Sequence, residues 1–268
     1  MSYVLESNAE FERLERQSRN PAYDFRRELE SLTVAPGAKI LDAGCGSGIV
    51  TRYLGTLYPH ARIDGCDLSA PRLEMARAAA RDLPNLSFTA CNLARTPFQD
   101  GSFELVISRY VFQHLGPALP RVLAELNRVL RPGGKLVLID GDGLFVNLYP
   151  QSRAVRSALA KISRAGLVDF SVGRKLPSLM ADCGLGEISW RVLTANHEGD
   201  ARAAEMQLMR ERFSAAEAQF IKVLGKKTAR TFVDSYLREL ESPVSTYCTQ
   251  TFVVTGVKPA VRHPQLVK

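Results

Sequence analysis

The sequence contains no long apolar run. None of its apolar stretches reaches the ~18 residues that a membrane-spanning helix needs. Its first residues lead into a charged segment with Glu6, Glu10 and Glu12, unlike the basic and then apolar regions of a signal peptide. With 46% hydrophobic and 24% charged residues, the 268-residue chain has the composition of a globular protein with a full core. We therefore expect a cytoplasmic protein that has no membrane partner.

Cysteine patterns typical of metal sites are also absent. The five cysteines are odd in number, and they form neither a C-x-x-C pair nor a cluster with histidine. The sequence thus predicts no metal, and reduced thiols in a cytoplasmic enzyme fit this usage. Packing is favoured over catalysis, because the first three lie near predicted strand ends where a small residue is needed. The cysteines are Cys45, Cys66, Cys91, Cys183 and Cys248.

Basic residues outnumber acidic ones by 35 to 28, which gives a formal net charge of +7. This balance permits an anionic partner without requiring one. Basic pairs such as Arg26-Arg27 and Lys226-Lys227 are isolated, and no stripe combines basic with aromatic residues as in a nucleic-acid binder. A solvated surface is the favoured interpretation, so nucleic acid is not the expected partner.

The most informative segment is the glycine-rich turn at residues 42–48 (DAGCGSG), which follows the apolar segment 39–41. Glycines can adopt positive φ and let a ligand contact the bare backbone. They are Gly44, Gly46 and Gly48. Ile49 occupies the position at which a dinucleotide-binding turn (G-x-G-x-x-G) has its third glycine, and the carboxylate of Asp42 would repel a phosphate. A nucleotide-like ligand without a pyrophosphate is therefore expected.

A second predicted strand, residues 61–66, is followed by Asp67. A carboxylate at this point of an α/β unit can accept hydrogen bonds from both hydroxyls of a ribose. The alternative is that Asp67 caps the next helix. Its position directly after the strand favours the ribose.

Five ordered motifs resemble those of the class I S-adenosylmethionine-dependent methyltransferases. They occupy residues 39–48, 65–69, 88–93 with 97–98, 102–108 and 130–136. A single glycine motif would be weak evidence, but five at natural spacing are specific. The resemblance spans residues 36–140 and implies an α/β fold with a doubly wound, seven-stranded, mostly parallel sheet of the Rossmann-like type. It also implies S-adenosyl-L-methionine as the cofactor.

The element pattern agrees with this resemblance, since strands alternate with helices over residues 39–140. We expect one methyltransferase domain over residues 1–268, with a cofactor-binding core at 36–140 and an N-terminal helical lid at 1–33.

Beyond the core, residues 141–184 and 200–243 predict helical cap segments. Residues 186–195 and 246–257 predict the last two strands. The ~45 residues between these strands far exceed a typical connection, whereas the family usually has a tight hairpin there.

By resemblance, the glycine turn and Asp67 hold the cofactor, and Asp42 orients the turn. The third motif has Asn92 where the family normally has an aspartate near the adenine amino group. An amide oxygen can still accept that hydrogen bond, without the strength of a carboxylate. The cofactor-binding set expected is Tyr3, Arg13, Asp42, Gly44, Gly46, Gly48, Asp67, Leu68, Asn92, Leu93 and Ser108.

The N-terminal run is similar to the opening of several bacterial small-molecule methyltransferases, whose leading helix closes over the cofactor. By this similarity, Tyr3 would contact the cofactor near its sulfonium, and Arg13 would bind the methionine carboxylate of the cofactor. The planar guanidinium group of arginine matches the geometry of a carboxylate. The alternative is an exposed amphipathic helix.

His114 follows the fourth predicted strand, where the family's residues face the transferred methyl group. An imidazole with a pKa near ~6.5 can accept a proton from a hydroxyl or an ammonium, so His114 is the candidate catalytic base. The alternative is a structural hydrogen bond that closes the turn. Substrate contacts are expected from Tyr110, Gln113 and Tyr149. His197 and Asp142 are weaker candidates for the substrate pocket.

Two further absences narrow the acceptor. No Asn/Asp-Pro-Pro-Tyr/Phe motif follows the fourth strand, so methylation of the adenine or glutamine amino group is not favoured. A Pro-Cys nucleophile for cytosine C5 is missing as well. The prediction is methyl transfer to O or N of a small molecule, in secondary-metabolite biosynthesis. An RNA acceptor, suggested by the charge, and a non-catalytic cofactor-binding module remain the alternatives, and a homodimer is compatible with the sequence.

Overall fold

The computed structural model describes residue 13, residues 16–18 and residues 20–260. Its central sheet has eight strands, ordered β3-β2-β1-β4-β5-β8-β6, with β7 paired to β8. The strands are β1 (Lys39–Ala43), β2 (Arg62–Asp67), β3 (Leu86–Ala90), β4 (Phe103–Arg109), β5 (Leu130–Asp142), β6 (Leu148–Tyr149), β7 (Gly186–Asn196) and β8 (Thr246–Val257).

The first five strands are parallel to their neighbours, and β8 runs antiparallel to both β5 and β7. The predicted doubly wound, mostly parallel sheet is confirmed. The two-residue strand β6, which pairs with the first residues of β8, is an addition to it.

Helices connect and cover these strands. They are α1 (Phe25–Glu28), α2 (Ile49–Leu57), α3 (Ala70–Ala79), α4 (Leu119–Val129), α5 (Arg153–Arg164), α6 (Leu176–Asp182), α7 (Gly199–Ala215), α8 (Glu217–Leu224) and α9 (Lys226–Glu241). In the described part of the chain, no helix is both long and apolar enough to cross a bilayer.

The sheet is buried on both faces because its central strands β1 and β4 are nearly continuous buried runs, whose successive side chains point to opposite faces. On one face, Ile40, Ile107 and Ile139 pack with α1 and α2. On the other, Leu41 and Val106 pack with α4 and α6. Because helices pack on both faces of the sheet, the carboxyl ends of the parallel strands are held in place along one edge.

A separate apolar core joins α5, α7, α8 and α9, which we call the helical layer. Phe213 of α7 lies at its centre. The ring of Phe213 stacks on that of Phe145 at 5.4 Å between centroids, and it meets Phe232 and Tyr236 edge-on at 5.5 and 5.3 Å. Aromatic pairs of this geometry contribute about 0.5–1.5 kcal/mol beyond their buried area. The helical layer therefore has a core of its own beside the sheet.

The segment before β1 is fastened to β4 by a buried ion pair. Arg109 Nη2 donates to Glu28 Oε1 at 2.9 Å and to the carbonyl of Tyr23 at 2.8 Å. Glu28 is 2% exposed. Burial alone would lower the pKa of Arg109, but the Glu28 carboxylate raises it above its usual value, so the guanidinium stays charged.

Replacement of Glu28 by glutamine should destabilise the protein, because it leaves the Arg109 charge buried without a carboxylate. We expect the free energy of unfolding to fall by about 3 kcal/mol. Glu30→Gln is the matched control, since Glu30 is paired with Arg191 but 62% exposed. It should cost less than about 1 kcal/mol. Urea denaturation measures both, and equal losses would contradict the structural role of the buried pair.

Candidate functional site

The carboxyl ends of β1, β2, β4 and β5 open into a cavity of about 1180 Å³. At one end the cavity reaches the glycine turn and Asp67. At the other it reaches β8 and the helical layer, including Phe145 and Phe220. Ligands of open α/β sheets bind at this edge, where the strand order reverses around β1 and β4.

The three glycines of the turn have positive φ angles, 80° at Gly44, 55° at Gly46 and 75° at Gly48. A Cβ at Gly44 would lie 2.4 Å from Val111 Cγ2, and one at Gly48 would lie 2.9 Å from Ala76 Cβ. A Cβ at Gly46 would meet nothing within 4 Å. Gly44 and Gly48 are thus required by packing, whereas Gly46 leaves open space beside the backbone that faces the cavity.

Asp67 links the ends of β1 and β2. Its Oδ2 accepts a hydrogen bond from Gly46 N, and its Oδ1 accepts one from Ser69 N, both at 2.9 Å. The N-cap of α3 is Ser69 rather than Asp67. The Asp67 carboxylate therefore lies on the cavity wall, next to the open space above Gly46.

Asp42 is a buried acid beneath the turn. It is 2% exposed and accepts a hydrogen bond from Thr51 Oγ1 at 2.6 Å. Burial raises its pKa from 3.8 to about 6, although the Thr51 hydroxyl acts in the opposite direction. At neutral pH this carboxylate is a buried negative charge that attracts a cationic group.

Asn92, Leu68 and Leu93 border the same end of the cavity. Asn92 is exposed, and its Oδ1 accepts a hydrogen bond from Ala94 N at 2.9 Å. The sequence placed these residues at the cofactor, and they do lie together.

Three of the residues expected at the site, Gly48, Ser108 and Tyr149, do not line the cavity. Ser108 is buried and donates to the carbonyl of Ala43 at 2.8 Å, a bond that ties β4 to β1. Tyr149 is 75% exposed on β6. Tyr3 lies outside the described residues.

A cluster of positive side chains borders the end of the cavity at the glycine turn, which we call the cofactor end because the sequence predicts the cofactor there. Arg13 and Arg72 are both 6% exposed and line the cavity with His114. Arg13 Nη1 donates to Gln17 Oε1 at 2.6 Å. His114 is exposed on the wall, yet the protein around its ring, followed by the charges of Arg72 and Arg13, lowers its pKa to about 4. The imidazole is therefore neutral at neutral pH.

Tyr110 and Gln113 lie on the wall between the two ends. Tyr110 has a φ of 54°, and its hydroxyl is 2.8 Å from Thr251 Oγ1. The Arg109 guanidinium lies 4.4 Å from the centre of its ring. Gln113 N donates to Asp140 Oδ2 at 3.2 Å, which fixes the turn after β4.

Sequence reasoning missed a buried polar group in the helical layer. Tyr23 Oη donates to Glu205 Oε1 at 2.9 Å, and Arg212 Nη1 lies 3.6 Å from the same oxygen. Tyr23 and Arg212 line the cavity. These residues are far apart in the chain and carry no shared motif, so no local signal could have found them.

Thr249 of β8 was missed in the same way. Its hydroxyl lines the cavity wall and lies 3.0 Å from Nε2 of the buried His197. Among the described residues, no group of three histidine, cysteine or acidic side chains is arranged to hold a metal ion.

Comparison with known proteins gave a family match and several relatives. Residues 41–138 match a family described as a methyltransferase domain. The chain is 35% identical over 212 residues to an uncharacterized 37.1 kDa protein in a Streptomyces fradiae transposon, covering 74% of this chain and 58% of that protein. It is 34% identical over 128 residues to the malonyl-[acyl-carrier protein] O-methyltransferase of Legionella pneumophila, covering 48% and 44%. The chain thus spans about half the length of these relatives.

Among solved structures, a geranyl diphosphate methyltransferase in complex with SAM is similar, with a TM-score of 0.57 and 20% identity. The match covers 94% of this chain and 91% of that one. At this identity the likeness concerns the fold.

The raised pKa of Asp42 makes stability depend on pH. The folded state favours the protonated carboxyl, so this contribution is complete below about pH 4 and is lost as the pH rises through about 6. Relative to Asp42→Asn, the wild type should lose about 2.4 kcal/mol between pH 4 and 7.5. Urea denaturation of both proteins at the two pH values measures the difference. A difference that stays constant with pH would contradict the burial of an ionisable group here.

Proposed function

Because the chain belongs to the class I S-adenosylmethionine-dependent methyltransferases, we propose that it transfers a methyl group to an oxygen or nitrogen atom of a small molecule. One observation carries the proposal: a single cavity joins the glycine turn to an apolar enclosure. A ligand pocket typically has about 300–1,000 Å³, so a cavity of about 1180 Å³ has room for a cofactor and an acceptor together.

The residues of the turn fit the cofactor. Open space beside Gly46 admits the nucleoside, and the adjacent Asp67 carboxylate can accept the ribose hydroxyls. The buried charge of Asp42 suits the positive amino group or sulfonium. Arg13 and Arg72 suit the methionine carboxylate, since guanidinium groups match carboxylate geometry. Asn92, Leu68 and Leu93 would border the adenine.

The bound cofactor supplies an activated methyl group, so the protein has to align the acceptor and exclude water. In this proposal, residues 36–140 form the cofactor-binding core. Residues 141–184 and 200–243 cap the acceptor, and residues 1–33 close over the cofactor. Tyr110 and Gln113 on the intervening wall would contact the acceptor. The proposal extends to a secondary-metabolite intermediate as substrate, and to a cytoplasmic location, which five free cysteines favour.

His114 is the proposed catalytic base. Its neutral imidazole can accept a proton from an acceptor hydroxyl, and it lies on the cavity wall beside the residues assigned to the cofactor. General base catalysis typically contributes about 10²–10⁴-fold.

Gly46→Ala should separate cofactor binding from folding. Alanine in a left-handed conformation costs roughly 1–2 kcal/mol of stability, and its methyl group would fill the space proposed for the cofactor. We expect the Kd of S-adenosylhomocysteine to rise by about tenfold or more, about 1.4 kcal/mol. Gly37→Ala is the matched control, since Gly37 has a φ of 77°, an equally open Cβ position and no place in the cavity wall. Calorimetry that finds the same Kd for both variants would argue against this cofactor position.

Methyl transfer itself is tested with labelled S-adenosylmethionine and pools of small metabolites. The wild type should release a labelled small product, and Asp67→Asn should reduce the yield through weaker cofactor binding, by about tenfold. Asp64→Asn changes an acid on the same strand that bonds Ser87 outside the cavity, and it should leave the yield unchanged. Label found only in RNA or protein would refute the small-molecule acceptor.

His114→Gln tests the base. We expect kcat to fall by about 100-fold or more while the Kd of S-adenosylhomocysteine stays within about twofold. Because the pKa of His114 is about 4, the activity that depends on it should be flat between pH 6 and 8. An unchanged kcat would assign His114 a structural role.

A further inference from the structure

The far end of the cavity is walled by apolar side chains of the helical layer and the loops before it. They are Phe145, Ile162, Leu167, Val168, Phe170 and Phe220. The rings of Phe145 and Phe170 meet edge-on at 5.6 Å between centroids. Phe145 also stacks on Phe213, so its ring is held from two sides. This wall is preformed and offers ring faces and edges to a ligand.

Backbone strain supports the same wall. Phe145 has a φ of 64°, a conformation that costs a bulky side chain of order 1–3 kcal/mol. The nearby Gly143 N donates to the carbonyl of Phe170 at 2.7 Å, which connects the two loops that carry the rings. Such strain persists only where the surroundings enforce it, and it is common at ligand-binding positions.

Two charged side chains at this end, Arg212 and Asp142, are each paired with an opposite charge, and Arg121 of α4, which also lines the cavity, is exposed to solvent. Arg212 lies 3.6 Å from Glu205. Asp142 accepts hydrogen bonds from Arg174 Nε and Arg174 N, both at 2.9 Å. Arg109, farther along the wall, is paired with Glu28. An ionised acceptor would therefore be buried here without a charge reserved for it, which is costly.

Polar groups at this end lie along β8. The Thr249 hydroxyl bonds His197, and the Thr251 hydroxyl bonds Tyr110. Gln250 lies between them and also lines the cavity. These neutral groups can bond one hydroxyl or amino group of a ligand whose remainder is apolar.

We propose that the methyl acceptor is an uncharged, largely apolar molecule with an aromatic ring, bound with its ring between the phenylalanines and the neutral groups of β8 and with its reacting hydroxyl or amino group towards the cofactor end, where His114 lies. This rests on the proposed function for the reaction, and it adds the chemical class of the substrate. The arginines beside His114 lie at the cofactor end and serve the cofactor carboxylate instead.

The test compares matched ligands that differ in one charge. 2-Naphthol and 6-hydroxy-2-naphthoate share a ring system and a hydroxyl, and only the second is anionic at pH 7.5. Further pairs extend the panel to one-ring and three-ring phenols. Calorimetry is done with the full chain saturated with S-adenosylhomocysteine. The uncharged members should bind at least about tenfold more tightly than their carboxylated partners.

Val168→Asp brings a charge into the apolar wall. It should weaken binding of the uncharged ligands by about tenfold or more, and change the Kd of S-adenosylhomocysteine by less than about twofold. Val244→Asp is the matched control, because Val244 is 80% exposed and lies outside the cavity wall. Val168→Thr keeps the side-chain shape and should weaken binding of the uncharged ligands by only about threefold. This variant tests the wall even if the aspartate variant does not fold.

Tighter binding of the carboxylated members, equal binding of both members, or binding of no uncharged member would overturn the inference. Unchanged binding in both Val168 variants would do so as well. Methyl transfer to charged small molecules alone would remove this substrate class and leave the proposed function standing. Binding of the uncharged ligands as expected, with no transfer to any oxygen or nitrogen, would remove the proposed function and leave this site in place.

Discussion

The buried ion pair between Arg109 and Glu28 is the contact on which the arrangement of the parts around the cavity depends. Arg109 ends β4, holds the carbonyl of Tyr23 and lies over the ring of Tyr110. Tyr23 in turn donates to Glu205 of α7. One guanidinium therefore joins the sheet, the segment before β1 and the helical layer. Since a buried charge without its partner is costly, these three parts hold one arrangement around the cavity.

The fold and the family could be predicted because their signals are local. The glycine turn, Asp67 and the alternation of strands with helices each occupy a few consecutive residues, and a parallel sheet follows from that order. The different roles of the three glycines in this turn, however, could not be predicted from the sequence. Gly44, Gly46 and Gly48 look equivalent in the sequence, but two of them avoid clashes with Val111 and Ala76, and only Gly46 leaves space for a ligand.

The end of the cavity at β8 and the helical layer could not be predicted, because its residues meet only through tertiary packing. Tyr23 and Glu205 are 182 positions apart, and Thr249 gains its role from His197. Ser108 illustrates the opposite difficulty: it follows the motif of the family, yet its hydroxyl is used to join two strands. A sequence pattern within one strand shows which residues lie near a site, but it does not show which hydrogen bonds each side chain forms. Tyr3 and the assignment of His114 as a base stay predictions.

The insertion between β7 and β8 has a further consequence, which concerns how such proteins diversify. Asn196 at the end of β7 pairs directly with Cys248 of β8, so both ends of the insertion leave from neighbouring points of one hairpin. The entropy of closing a loop grows only slowly with its length, so a hairpin tip tolerates a long insertion at little cost to the sheet. α7, α8 and α9 can therefore change in length and sequence with little effect on the sheet, provided that α5, which shares their apolar core, changes with them. New acceptor pockets can arise this way while the cofactor half is inherited unchanged.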